Sequence, residues 1–567
     1  MKFTKSFLSI FLLSALLLLS CNKDLIEINE NPNGVDPNTA HPNVLISTVM
    51  TGIATSSTSR GFSGTTGNAV QYTQRDSWSD NKYDWGTESV WGTYYGLLRT
   101  NKLANERAVE MGLEFHEGVT LVLRAMLFGT LTDFYGDIPY TNALGGDGAD
   151  GERPTYDSQE SVYMGVIADL EKAVTLLSKN DYKDVSASQD VFYQGDASKW
   201  QKLANSLALR YYMRLSEKLP SFASAGVSAM LSKPLISSVD DECVLAYVGG
   251  TENQSWPNTS QFGTPSNFYR VKACATLSDK LMALGDPRLG LWFDQVDIRI
   301  RVVPAAEMPS GGYVMDEIDE AAGIRYINAD SIGVAGTSGA NYALYSPNTY
   351  YQDAADGKDL IDTNFYVGLP VAVSPVDPTA YNLNIGGTRG DKNPHVSRMN
   401  PMFDEKSGDQ LKSRLFSYAE LCFLKAEAAN RGWGSDEQAN YEAGIQASFD
   451  TWGIGDEAAA YMAGTDVAFD GTLDRIMEQK WIANMFNGDE AYLDWRRTGY
   501  PVLQSGPYAR EDVIPLRFTY PDDEININTV NYMEGIKSLV DTPYTGDDAN
   551  DSPYARPWIV QGVTKPW

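Results

Sequence analysis

Runs of apolar residues spaced by three and four constrain this chain most. Val90, Tyr94, Leu97, Asn101, Ala104 and Ala108 fall on one helical face, and Val119, Leu123, Met126, Thr130 and Phe134 on another, which Gly136 ends. Tyr163, Ile167, Leu170, Val174 and Leu177 mark a third helix. Trp200, Leu203, Leu207, Tyr211 and Leu215 mark a fourth, with Ser198 as its cap. Consecutive helices with short links pack as antiparallel pairs. Helical spacing returns at LFSYAELCFLKAEAANRGWG, where Leu415, Tyr418, Cys422, Ala426 and Ala429 share a face and Gly432 suits a left-handed helix end. Tyr441, Ile445, Phe449 and Trp452 follow, and a further helix begins near Thr472 with Leu473, Ile476 and Met477 inward. Large residues alternating with small ones on paired helices resemble tetratricopeptide repeats, although no clean period of ~34 residues is visible.

From about Pro234 to Gln410 the texture changes to Gly, Asn, Ser, Thr and Tyr, with little helical periodicity outside ATLSDKLMALGDPRLG. An irregular region of this length is functional or locally disordered, and its many aromatic residues argue against disorder. The expected architecture is mainly α: a single domain over 43–567, with a helical scaffold at 43–233 and 411–500 and a loop-rich lobe at 234–410 for ligand or partner.

The first residues, MKFTKSFLSIFLLSALLLLSCNKD, have the form of an export signal: Lys2 and Lys5, then an apolar run from Phe7 to Leu19. That run is shorter than the ~20 apolar residues needed to span a bilayer. LLSC looks like a bacterial lipoprotein processing site, giving a signal peptide at 1–20 and a lipidated Cys21. The alternative is an ordinary signal peptide beside an unrelated cysteine. Residues 21–42 are polar and turn-rich, with Pro32, Pro37 and Pro42 spaced along them, and read as a tether or as a leader wrapped along the body.

The formal net charge of -29 repels phosphate backbones and makes nucleic acid a poor partner. With Cys21 lipidated, Cys243, Cys274 and Cys422 remain; they make no disulfide framework, and a single bridge between Cys243 and Cys274 stays open in an oxidising compartment. Three histidines, His41, His116 and His395, stand in unrelated contexts, and neither HExxH nor GxxxxGK occurs. Ser79 and Lys82 make an isolated SxxK, and Asp353, Asp356 and Asp359 resemble a calcium loop without its full ligand pattern. No cofactor, metal or catalytic residue is expected.

Seven stretches, CNKDLIEINENPN, TDFYGDIPY, GDASKWQKLANSLALRYYMRLS, GDPRL, YAELCFLKAEAANRGW, IMEQKWIANMFNGDEAYLDWRRTGYP and IPLRFTYPDDEININ, resemble in order and spread the SusD/RagB outer-membrane lipoproteins of Bacteroidetes. The resemblance covers Cys21 to Asn528, and departures concentrate between Pro234 and Gln410. It implies a SusD-like fold of tetratricopeptide-like helical pairs with an irregular lobe. It also implies a lipid-anchored protein of the outer membrane, surface-exposed, that captures a glycan or other oligomeric nutrient and delivers it to a SusC-like TonB-dependent transporter. Asp24, close behind Cys21, is consistent with surface export.

Capture of a sugar needs flat aromatic faces and directed polar groups. QYTQRDSWSDNKYDWGTESVWGTYY supplies both, and Arg75, Trp78, Asn81, Tyr83 and Trp85 precede the first clear helix and are expected on a binding loop. Trp256, Phe262, Phe268, Tyr269, Tyr345, Tyr350 and Tyr351 form a second group that faces the first across a cleft or covers a partner. Tyr269 and Tyr350 stand for it as ligand contacts. DWRRTGYP reads as an ion pair of Arg496 and Arg497 with Asp494, and the acids after Pro521 as a turn cap or partners of Arg517. The function expected is binding without chemistry. A surface glycosidase and an adhesion or structural lipoprotein are the readings from other classes.

Overall fold

Pro42 at the first helical position, with the His41 ring accepting from the Asn43 amide at 3.2 Å, starts helix α1 (Pro42–Ser63). In the computed structural model, which describes residues 39–75, 82–145, 153–179, 181–257, 259–332, 342–373, 378–384, 392–546 and 551–563, α2 (Thr65–Ala69) and strand β1 (Thr73–Arg75) follow. The export signal, Cys21 and most of the tether lie outside the described residues. Among these residues no helix is long and apolar enough to cross a membrane.

The four helices expected from spacing are α3 (Val90–Met111), α4 (Glu114–Tyr135), α5 (Gln159–Leu177) and α6 (Ala197–Arg214). With α7 (Pro220–Met230) each packs on the next, because each buries one apolar stripe. The cap of α6 is Asp196 and not Ser198: its carboxylate accepts from the Ser198 and Lys199 amides at 2.9 and 3.2 Å, while Ser198 already lies in the first turn. An acid is favoured there by the helix dipole.

The lobe is irregular but carries short strands. In order it holds β2 (Cys243–Ala246), α8 (Pro265–Tyr269), β3 (Val271–Ala273), α9 (Ala275–Leu284), α10 (Arg288–Trp292), β4 (Arg299–Val303), β5 (Asp316–Asp319), β6 (Ile324–Asn328), β7 (Tyr342–Leu344), α11 (Tyr350–Ala355) and β8 (Asp359–Ile361). β6 lies between β4, parallel to it, and β5, antiparallel; β7 and β8 pair in parallel. Two pairings tie lobe to scaffold: β1 with β3, and β2 with β9 (Lys412–Phe416). Leu415, expected on a helical face, is therefore a strand residue. Ser417 accepts from the Glu420 amide at 3.0 Å and opens α12 (Tyr418–Asn430) only after it.

α12 packs on α13 (Glu437–Thr451), where a Cβ at Gly444 would come within 2.8 Å of the Phe423 ring. This is the large-on-small contact expected of tetratricopeptide-like pairs. α14 (Ala458–Met462), α15 (Leu473–Ala483), which begins near Thr472 as expected and is capped by it, and α16 (Gly488–Thr498) complete the helical body. The scaffold does not stop near residue 500, because α17 (Asp522–Ile527) and α18 (Thr529–Gly535) follow a segment that returns to the core. In that segment the Phe518 amide donates to Phe134 O at 2.9 Å, with the two rings 4.8 Å apart.

α16 is buried from end to end, and its charges fasten four other helices. Asp489 accepts from Arg60 Nε on α1 at 2.8 Å, Glu490 from Arg214 on α6 at 2.7 Å, and Arg497 Nη2 lies 2.7 Å from Glu427 on α12. Asp494 holds Arg497 at 2.8 Å and Lys480 of α15 at 2.5 Å. The expected ion pair of DWRRTGYP is thus present for Arg497. Arg496 instead donates to Leu516 O at 2.8 Å. Arg517 pairs with Asp551 at 2.6 Å and not with the acids after Pro521, of which Glu524 accepts from Tyr156.

Cys243, Cys274 and Cys422 are free, buried thiols, so the bridge left open between the first two is not formed. Burial pushes the Cys422 thiol up to about 11 and the Cys274 thiol up to about 12, which keeps both protonated.

Candidate functional site

Arg75 ends β1 opposite Val271 of β3, and this pairing brings Arg75 of the first predicted group beside the second group. A cleft of about 300 Å³ is lined by Arg75 on one side and by Trp256, Phe262, Asn267 and Phe268 on the other. Arg75 Nη2 donates to Ser63 Oγ at 3.0 Å, which directs the half-buried side chain along the cleft wall. Phe262 is 37% exposed, with Lys406 Nζ 4.8 Å from its ring centre, while Trp256 is wedged into a core of Phe62, Phe403 and Phe486. The cleft thus has an exposed ring, a cation and the side-chain amide of Asn267 above an aromatic floor. Tyr269, 36% exposed, stands beside it, its ring 5.5 Å from that of Phe268.

A wider cleft of about 530 Å³ lies between α11 and the segment at 503–514. Tyr351 gives it a ring face over a buried Trp495, and Gln352, Gln504 and Asp512 give it amides and an acid. Burial, and after it the Asp512 carboxylate, raise the Tyr351 phenol above its ordinary value, so it stays a neutral donor.

Tyr83 and Trp85 are not on an exposed loop face. Tyr83 is fully buried, and Trp85 packs 5.0 Å from Phe518 and 5.5 Å from Tyr492. Their segment braces the wide cleft instead. Gln71 Nε2 joins Tyr83 Oη (2.9 Å) to Gln504 O (2.6 Å), the Arg510 amide donates to Lys82 O at 2.8 Å, and Arg510 Nη1 meets Asp84 at 3.1 Å. Tyr350 is likewise core, 8% exposed, its ring 5.7 Å from Tyr345, whereas the neighbouring Tyr351 faces the cleft. Trp78 and Asn81 lie outside the described residues. Sequence reasoning missed Gln352, Gln504 and Asp512. For Gln504 the available signal was the Gly- and Pro-rich TGYPVLQSGPYAR at the end of α16, which breaks helical periodicity as the lobe does.

Beneath this region sits a pair of buried acids. Burial holds the Asp279 carboxyl up to about 7, against a 2.7 Å hydrogen bond from Tyr345 Oη and with Asp362 adding its charge. Burial also holds Asp362 up to about 6. Both folded values exceed the unfolded one, so the folded chain keeps protons that the unfolded chain has released. Their stabilising contribution is complete below about pH 4 and is lost as pH rises through about 6–7. Asp279→Asn is therefore expected to exceed the wild type in stability by about 2 kcal/mol above pH ~8 and to match it near pH ~4. Urea unfolding at the two pH values checks this; an equal or lower midpoint at the higher pH would refute it.

Among the described residues no three His, Cys, Asp or Glu converge as metal ligands. Of the calcium-like acids, Asp353 pairs with Lys358 at 2.6 Å, and Asp356 lies 4.0 Å from the same ammonium.

Several solved structures share this fold. One described as a chitin-binding protein superposes with a TM-score of 0.67 at 22% identity, over 93% of this chain and 100% of that one. A SusD homologue from Bacteroides fragilis gives 0.67 at 20% identity, over 92% and 100%. A chitin-binding SusD homologue from Flavobacterium johnsoniae gives 0.62 at 19%, over 92% and 99%. No curated protein matches the sequence. A family model described as starch-binding and associating with the outer membrane matches residues 32–312 and 376–521, and the chain therefore belongs to this SusD-like family.

Proposed function

We propose that this protein is a lipid-anchored, surface-exposed binding protein of the outer membrane that captures an oligosaccharide and passes it to a SusC-like TonB-dependent transporter. The observation that carries the reading is the wide cleft, where the Tyr351 ring shares a wall with the amides of Gln352 and Gln504 and the Asp512 carboxylate, over a buried Trp495. Ring faces take the C–H surface of a sugar, and amides and acids take its hydroxyls. The Arg75 cleft offers the same chemistry, and Trp78 and Asn81, which follow Arg75 in the sequence, remain ligand residues in this proposal. The family description, starch-binding, and the chitin-binding names of two structural relatives support a glycan as the ligand class. Cys21 supplies the anchor, and the polar segment that follows it, up to the buried Ala40, serves as the tether that lets the body move above the transporter without leaving it. Its contribution is local concentration, without bond cleavage.

Tyr351→Ala and Arg75→Ala, both at half-buried positions, are each expected to weaken binding of a starch or chitin oligosaccharide about tenfold, with melting temperature near the wild type. Calorimetric titration of the purified chain decides this. Turnover of the oligosaccharide would overturn the binding reading in favour of a glycosidase, and wild-type affinity in both variants would remove the two clefts from the site.

A further inference from the structure

The geometry points to a second saccharide subsite, in a cleft of about 350 Å³ that, like the Tyr351 cleft, is lined from both α11 and the segment at 503–514, so that one glycan chain is held across the two. This rests on the glycan reading above and adds where the chain continues. α11 gives Tyr351 and Gln352 to the first cleft and Ala354 to the second; the segment at 503–514 gives Gln504 and Asp512 to the first and Tyr508 to the second. Where the walls meet, Tyr508 Oη donates to Ala354 O at 3.3 Å. The two clefts are therefore bordered by the same pair of segments, on either side of this bond.

The second cleft is walled by Tyr342, Tyr381, Asn382, Lys358 and Asp359. Its cations are already matched. Arg325 is held by Asp316 through two hydrogen bonds, at 2.9 and 2.6 Å, and Lys358 by Asp353 at 2.6 Å. A sulfated or carboxylated sugar would find its cations already paired, whereas a neutral sugar would find ring faces and hydroxyl partners.

The wall is also held rigid against its own preference. Asn382 and Leu383 are consecutive left-handed residues, with φ of 53° and 57°, an arrangement side chains resist and which persists only where neighbours enforce it. Here they do. Asn382 Nδ2 donates to Asp362 O and His395 O (3.2 and 2.8 Å), its Oδ1 accepts from the Asp362 amide (2.8 Å), and Arg325 Nη1 donates to Leu383 O. Tyr381, next in this wall, is 8% exposed, and its hydroxyl has no hydrogen-bond partner among the described residues. Strained backbone and an unmet polar group concentrate where a binding surface is fixed in advance.

Titration of the full chain with malto- and chito-oligosaccharides of increasing length tests this. Affinity is expected to rise about tenfold or more from trisaccharide to octasaccharide, because the second contact becomes intramolecular. Tyr342→Ala and Asp359→Asn should flatten that rise and leave trisaccharide affinity unchanged, while Tyr351→Ala weakens every length. Asp359 is exposed, so its variant folds even if loss of the Tyr342 ring loosens β7. An undiminished length dependence in both second-cleft variants, or a flat one in the wild type that still binds trisaccharide, would overturn the second subsite alone. Absence of binding at every length would overturn it together with the glycan reading.

Discussion

Trp85→Ala lowers the unfolding free energy by about 3–5 kcal/mol, the usual cost of emptying a core tryptophan site, and leaves oligosaccharide affinity of the folded protein close to wild type. The expectation follows from its position between Phe518 and Tyr492, where α16 meets the returning segment. Neither neighbour closes the gap easily, since Tyr492 is held by its hydroxyl on Pro515 O at 2.7 Å and the Phe518 amide is fixed on Phe134. Urea unfolding reads the effect as a lower midpoint at unchanged slope. A wild-type midpoint with lost binding would return Trp85 to the ligand surface.

Arg497→Ala costs a comparable amount, about 3–5 kcal/mol at neutral pH, because it strands buried carboxylates. Glu427 lies wholly inside the protein, where burial alone would raise its carboxyl; Arg497 and Arg431 outweigh that and hold it at about 2. Burial is likewise outweighed at Asp494, held well below the usual carboxylate range by Lys480 and Arg497. Folded values below the unfolded one mean that this stabilisation is present above about pH 4 and is lost as pH falls toward about 2. The difference between variant and wild type should therefore shrink on acidification, the reverse of the Asp279 pair. A double variant, Arg497→Met with Glu427→Met, is expected to recover part of the loss, since no unmatched charge remains buried. A double variant as unstable as Arg497→Ala would show packing, and not charge, to be the cause.

The helices were legible because their burial is periodic: one apolar stripe every 3.6 residues is a local property, and α3 to α6, α12, α13 and α15 follow from it. Aromatic density carried less information. Tyr83 and Tyr351 occur in similar polar, aromatic stretches, yet one is core and the other faces a cleft. What separates them is Gln504, which Gln71 ties to the Tyr83 hydroxyl across 433 positions of the chain. No local pattern encodes such a partner. The same holds for Leu415, where β2 turned a helical spacing into a strand, and for Arg517, whose partner Asp551 lies beyond the motif. Arg75 was legible as a polar residue beside aromatics, and its place opposite Phe262 came from the β1–β3 pairing.

The meeting of α1 with α16 also sets an order of events during synthesis. Backbone touches backbone there: a Cβ at Gly61 would fall 2.7 Å from the Gly488 nitrogen, and one at Gly488 would fall 2.6 Å from Gly61 O. Ser57 and Arg60 complete the contact through Asp489, with 432 positions between Ser57 and that carboxylate. α1, the first helix among the described residues, thus waits for α16, carrying Arg60 without its Asp489 partner until α16 has been made. Loop closure over such a span is slow compared with pairing of neighbours such as α4 and α5. Contact span alone thus favours early pairing of the middle helices and late closure of α1 on α16.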